Sequence, residues 1–270
     1  MDSLIWNRRN FLKTVAGTAG FLAFMPYLNA EEALTNAKPL KVGLVGCGGR
    51  GLGAMKNALD ADPGTIAWAL ADVFQERIDF GAKLLAEQYG NRARLDRSRL
   101  FSGLDSYKRL LQTDIDVVLL CTPPAFRPEH LAAAIDASKH IYAEKPVAVD
   151  VPGVLSVLES ARLAKLKNLV ILDGFCWRYD KANEEAHRKL SSGQLGRVLS
   201  FDGLYYTTPP KSPLALDSRP SSDTDVAWAL RNWTAWNWLS GGQFVEQIVH
   251  TIDGMVWSMN EQLPLAAFGS

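Results

Sequence analysis

Lys145 and His250 are the side chains in this chain best suited to moving a proton at an alcohol carbon. An imidazole titrates near neutral pH and can take the hydroxyl proton as a hydride leaves the same carbon. An ammonium beside it polarises the oxygen, or shares the base role if burial strips its proton. Glu246, His250 and Asp253 follow one another at steps of four and three, so they fall near one face of a helix that starts after Ser240-Gly241-Gly242. Lys145 lies in Tyr142-Ala143-Glu144-Lys145-Pro146, at the end of an apolar run. Each has a plain structural alternative: a solvated strand-end lysine, a satisfied helix histidine, an aspartate that only orients a neighbour.

A departing hydride needs an acceptor, and the chain carries a loop suited to holding one. Lys41 to Val45 reads as a strand, and Gly46, Cys47, Gly48, Gly49, Arg50 and Gly51 follow it with glycines at the Gly-x-Gly-x-x-Gly spacing. The first glycine permits a tight turn, the second lets backbone approach a pyrophosphate, and the third lets helix and strand pack closely, with the helix N-terminus facing the phosphates. Asp72 ends the second strand, where a carboxylate accepts from the adenosine ribose hydroxyls and repels a 2′-phosphate. NAD is therefore favoured over NADP, although Arg77 could accommodate a phosphate. A doubly wound domain without a dinucleotide is the structural alternative. Thr122-Pro123-Pro124 closes a later strand with a stiff loop at the ligand-binding edge, or simply starts the next helix. Glu144 and Lys145 end another strand at that same edge.

The elements that must position these residues alternate short apolar runs with amphipathic segments. Strands are expected at 41–45, 66–71, 115–121, 140–143 and 169–172, and helices at 51–59, 75–89, 104–112, 128–138 and 151–167. Runs such as Val117-Val118-Leu119-Leu120 are apolar on both faces and need cover on both sides. The fold class is α/β, a Rossmann doubly wound parallel sheet over residues 39–174, followed by an incomplete α+β substrate domain over 175–270. There a helix is expected from Lys181 to Ser191 and a strand from Arg197 to Tyr206, then a Pro- and Ser-rich loop. Five tryptophans gather at 228, 233, 236, 238 and 257. Aromatic faces stack on sugar rings, and one or two of these are expected to serve as a platform, Trp236 the favoured one, with most of the rest in core or interface.

The glycine fingerprint, Asp72 and above all Glu144-Lys145-Pro146 closely resemble the Gfo/Idh/MocA oxidoreductases, from Lys41 to the C-terminus. The resemblance implies that Lys145 lies beside nicotinamide and the substrate hydroxyl. It implies that Glu246 and His250 face the substrate from a helix, with Glu246 standing where the family has Asp. Arg178 or Tyr179 would border the sugar pocket, with Asp253 nearby. The family's second domain is an open sheet of several strands and often pairs copies through that sheet, which implies a homo-oligomer. Only one such strand is legible here, so the chain is expected to be truncated. Three activities follow as alternatives: an NAD-dependent sugar or polyol oxidoreductase, a redox-neutral glycoside hydrolase resembling family 109, and a non-catalytic dinucleotide-binding relic.

Lys plus Arg and Asp plus Glu balance at 29 each, which leaves no basic field for nucleic acid or anionic lipid. The arginines at 92, 94, 97 and 99 read as a solvated loop. Cys47, Cys121 and Cys176 stand at unrelated spacings, so neither a disulfide framework nor a metal ligand set follows. Residues 1–30 read as an export signal: Arg8-Arg9 with Phe11-Leu12-Lys13, an apolar stretch from Val15 to Met25, and Ala30 before an acidic run. The paired arginines resemble a twin-arginine signal, which implies the matching export machinery and an extracytoplasmic, periplasmic destination. The apolar stretch is shorter than the roughly 20 residues a permanent span needs. Residues 31–38 read as a linker.

Overall fold

A computed structural model describes residues 38–207 and 213–269. The export signal and nearly all of the linker lie outside the described residues. Six strands pair in parallel: β1 (Leu40–Val45), β2 (Thr65–Asp72), β3 (Leu100–Ser102), β4 (Val117–Leu120), β5 (His140–Ala143) and β6 (Ile171–Asp173). Their spatial order is β3-β2-β1-β4-β5-β6. The order reverses between β1 and β4, and at such a switch point the carboxyl ends of the strands open a crevice for a ligand. Helices α1 (Gly49–Ala61), α2 (Gln75–Tyr89), α3 (Ser106–Leu111), α4 (Arg127–Asp136) and α5 (Val151–Leu166) make the crossovers.

The strands alternate their side chains between two apolar layers. Val42, Leu44 and Leu119 pack with Leu52, Met55 and Leu59 of α1 and with Ile78 and Leu85 of α2. Val45, Val118 and Leu120 face the other way, against Leu110, Leu131, Ile135 and Ala164. Complete burial of each such side chain stabilises the fold by roughly 1.5–3 kcal/mol, so both layers hold the sheet rigid beneath the crevice.

Two readings of the sequence are corrected in this domain and the next. Of the arginines after α2, Arg94 and Arg97 are solvated as expected, but two are not: Arg99 donates to the Trp68 carbonyl at 2.9 Å and stacks on its ring, and Arg92 donates to the Leu59 carbonyl at 2.7 Å. Arg99 ties the start of the edge strand β3 to β2, and Arg92 holds the end of α1; β3 itself has too few residues to show a period. Beyond β6, the described residues form α6 (Lys181–Ser191), α7 (Asp225–Arg231), α8 (Asn237–Ser240), a π-helical turn (Phe244–Ile248) and α9 (Val249–Ser258). The strand expected from Arg197 to Tyr206 does not form, because no described segment offers it a partner ladder. That stretch instead lies along α9, so close that a Cβ at Gly203 would run into Met255 and Thr251. Among the described residues, no helix is long and apolar enough to cross a membrane.

Candidate functional site

The glycine loop is held by its neighbours in a shape only glycine allows at two points. Gly46 has φ +96°, and a Cβ there would lie 2.7 Å from the Cys121 carbonyl carbon. A Cβ on Gly51 would lie 1.8 Å from the Gly46 carbonyl oxygen, so α1 touches the loop backbone directly. Cβ atoms at Gly48 and Gly49 would meet nothing within 4 Å, which leaves the outer side of the loop open to a ligand. Asp72 braces the loop from beneath: its carboxylate accepts the Cys47 N–H at 2.7 Å and the Phe74 N–H at 2.9 Å. Burial pushes the Asp72 carboxyl up from its ordinary range, partly offset by the Phe74 N–H bond. Asp72 thus has a structural task as well as lining the cleft, where its remaining lone pairs can serve the ribose.

Gly46, Gly48, Arg50, Asp72, Thr122 and Pro123 all line this cleft. A glycine loop opening α1, an open outer face and an acid at the end of β2 together fit a dinucleotide. Arg50 joins this cleft to a second one. Its guanidinium donates to Glu144 at 2.5 Å and to the Tyr142 hydroxyl at 3.1 Å, tying the loop to the end of β5, and it lines both clefts. Tyr142 in turn donates to Glu144 at 2.7 Å.

The second cleft brings Lys145, Glu246 and His250 together. Lys145 Nζ donates to the Glu246 main-chain carbonyl and lies 3.5 Å from its carboxylate. The π-helical turn carrying Glu246 is a widened turn of a kind found at functional sites, and it presents this carbonyl to the lysine. Burial raises the Glu246 carboxyl, and Lys145 only partly offsets it. His250 is 7 % exposed, and its Nδ1 has no partner among the described residues. Trp177 packs over its ring at 5.0 Å, with Phe175 edge-on at 5.9 Å. Burial, then the Lys145 charge, pushes the imidazole below its ordinary pKa, so at neutral pH it is an uncharged proton acceptor.

The four residues expected to border the substrate are not among those lining these two clefts. Arg178 is locked in a bidentate pair with Asp253, at 2.7 and 2.8 Å, and reaches Glu261 at 2.7 Å. This triad pins the segment after β6 to α9. Tyr179 and Trp236 are exposed, and neither is among the residues lining the two clefts. Trp233 lines both clefts instead. The π turn changes where Glu246 falls relative to His250, whereas Asp253, one turn beyond His250 on α9, is taken up by Arg178.

Two residues without a reading in the sequence join the site from α4. Arg127, 1 % exposed, donates to the Leu120 carbonyl at 2.7 Å and lines the second cleft. His130 lies 3.2 Å from the Thr122 hydroxyl and packs on Tyr107. Their signal was position: they open the helix that follows Thr122-Pro123-Pro124 at the ligand edge of β4. Burial, reinforced by Arg127, pushes the His130 imidazole down to about 3, from an ordinary 6.5. A lowered histidine pKa stabilises the fold fully above 6.5 and ever less as pH falls toward 3, at up to about 1.4 kcal/mol per pH unit. Urea midpoints of the wild type therefore fall more steeply across that window than those of His130→Gln. Parallel pH dependences would show that His130 is not held neutral.

Residues 40–171 match the model of the family described as "Oxidoreductase family, NAD-binding Rossmann fold", Gfo/Idh/MocA. That match spans just under half of the chain and falls on the glycine-loop domain. The chain is 28% identical over 181 residues to a dTDP-3,4-didehydro-2,6-dideoxy-alpha-D-glucose 3-reductase of Actinomadura kijaniata, covering 67% of this chain and 49% of that protein. It is 26% identical over 218 residues to a glycosyl hydrolase family 109 protein of Shewanella baltica, covering 74% of this chain and 46% of that one. In fold it is similar to scyllo-inositol dehydrogenase from Lactobacillus casei, solved with NAD(H) and scyllo-inositol, with a TM-score of 0.58, 22% identity and coverage of 82% and 56%. The chain spans about half the length of the curated relatives it matches.

Proposed function

We propose that this protein is an exported NAD-dependent oxidoreductase acting on a sugar or polyol hydroxyl. The carrying observation is that Lys145, Glu246 and His250 meet in a cleft that shares Arg50, Cys121, Thr122 and Trp233 with the glycine-loop cleft. Bound NAD supplies the hydride acceptor. His250, neutral at working pH, takes the hydroxyl proton as the C–H hydride leaves, and the Lys145 ammonium stabilises the oxygen as negative charge develops on it. Glu246 holds the lysine by its main-chain carbonyl and its carboxylate together. The aromatic packing around His250 keeps water off the imidazole.

The lowered imidazole pKa gives this reading a pH signature. A base must be unprotonated, so oxidation has constant kcat/KM through neutral pH and falls only below 6.5, the ordinary histidine value. A limb above neutrality would assign the base role to another group.

Similarity to a glycosyl hydrolase family 109 protein supports a redox-neutral alternative, in which the hydride returns to the sugar after the glycosidic bond is eliminated. Free sugars or polyols that make reduced cofactor accumulate favour the dehydrogenase. Aryl glycosides cleaved with no net change in cofactor favour the hydrolase. Export rests on Arg8-Arg9 and the apolar stretch after them. Residues 1–38 fused to a folded reporter should carry it out of the cytoplasm, and changing both arginines to lysine should stop transport. A reporter that stays inside with the native arginines contradicts export.

A further inference from the structure

We propose that α7 and α8 form a clamp over the adenosine half of the NAD cleft, latched by Arg231, so that the cofactor leaves only when the clamp opens. The proposal rests on the NAD-binding reading of the cleft and adds to it the residues that govern retention. Leu230 and Trp233 line the same cleft as the glycine loop, although they lie far along the chain from it. A dinucleotide seated on the loop would therefore meet both stretches of chain.

The clamp is anchored at the ligand edge of two different strands. Ala229, Leu230 and Leu239 bury themselves against Phe74, which follows β2, and Phe126, which follows β4, packs against the same cluster. Arg231 donates to Glu76 in the first turn of α2 at 2.6 Å and to Asp223 at 2.7 Å. Its guanidinium also lies 3.9 Å from the centre of the Phe74 ring. Asp223 is 8 % exposed at its side chain and Glu76 59 %. Asn232, almost wholly buried, holds the Leu214 N–H at 3.0 Å, so the chain before α7 is fixed as well.

These contacts divide the work. The apolar cluster decides that the clamp docks at all, because burial of Leu230 and Leu239 outweighs an ion pair with one solvated partner. The Arg231–Glu76 pair crosses from the clamp to α2, so it decides how often a docked clamp opens. Trp233 faces the cleft from the clamp, and its indole is placed to report on cofactor by energy transfer to reduced nicotinamide.

The test is the dissociation rate of NADH from the full chain, followed by the decay of tryptophan-sensitised NADH fluorescence after mixing with excess NAD. Arg231→Ala should speed dissociation about tenfold, the size of an interaction near 1.4 kcal/mol. Glu76→Ala, an exposed change on α2 that leaves the Arg231–Asp223 pair intact, should speed it in the same direction, and the double variant should be no faster than Arg231→Ala. Trp233→Phe should remove most of the sensitised signal while direct NADH fluorescence remains. Dissociation within twofold of wild type in both single variants overturns the clamp. Wild-type protein that binds no NADH overturns the NAD reading itself, a separate result.

Discussion

Lys145→Met lowers kcat by about 10²–10⁴-fold while NAD stays bound. Among the described residues Lys145 forms the ion pair with Glu246, whose carboxyl burial has raised, so removing Nζ takes away the charge proposed to face the substrate oxygen and frees the π-turn carbonyl it holds. The effect belongs on turnover because the charge on the oxygen grows between ground state and transition state. Lys145→Arg keeps the charge but replaces a point ammonium with a broader, planar group in a tight contact, and should recover only part of the loss. The measurement is kcat and KM separately, with cofactor content checked by heat release. A variant with wild-type kcat, or one that loses activity only through KM, removes Lys145 from the chemistry.

Gly51→Ala weakens NAD binding by about 10- to 100-fold and destabilises the domain. Its methyl would sit 1.8 Å from the Gly46 carbonyl oxygen, a backbone atom fixed on its other side by Cys121 and Thr122. Neither partner can move without displacing the end of β1 or β4, so α1 is pushed away from the loop. Overpacking of this kind typically costs about 1–3 kcal/mol, and the same displacement spoils the alignment of loop N–H groups with a pyrophosphate. Gly53→Ala is the control on the same helix, since its methyl would meet only the tip of Arg50 at 3.9 Å. Titration calorimetry with NAD separates the two variants. Equal affinities would mean that the cofactor does not use this loop.

The nucleotide-binding domain was legible because its signals are local. Apolar runs such as Val117–Leu120 name buried strands, the glycine spacing names a turn, and the end of a parallel strand is where such a fold places ligands. The C-terminal half was less so, since the surroundings of its side chains depend on distant contacts. Arg178 carries no mark that it will pair with Asp253 and Glu261. Trp233 and Trp236 are equivalent in sequence, and only the docking of α7 on Phe74 turns one into the cleft and leaves the other exposed. The π turn at Phe244–Ile248 is likewise invisible to a helical wheel, which assumes a regular step. The segment Arg197–Tyr206 has strand composition, but strand propensity acts only where a partner edge exists.

The Arg50–Glu144–Tyr142 network links the two clefts that the proposed reaction would use together. Arg50 leaves the glycine loop, Glu144 precedes Lys145, and the pair fixes the loop to the lysine. The cysteines near this network are inert by contrast: burial pushes the Cys121 thiol up to about 12 and the Cys47 thiol upward as well, so neither supplies a thiolate at neutral pH.

The central claim is that hydride and proton leave one sugar or polyol carbon within this cleft. The most direct measurement is the absorbance of the bound nicotinamide when NAD-loaded protein is mixed with a panel of sugars and polyols, for wild type and for His250→Ala. The account predicts that at least one substrate reduces the bound cofactor in wild type, and that His250→Ala retains the cofactor but leaves it unreduced. Reduction at the wild-type rate in His250→Ala, or a loaded wild type that no sugar or polyol reduces, would contradict it.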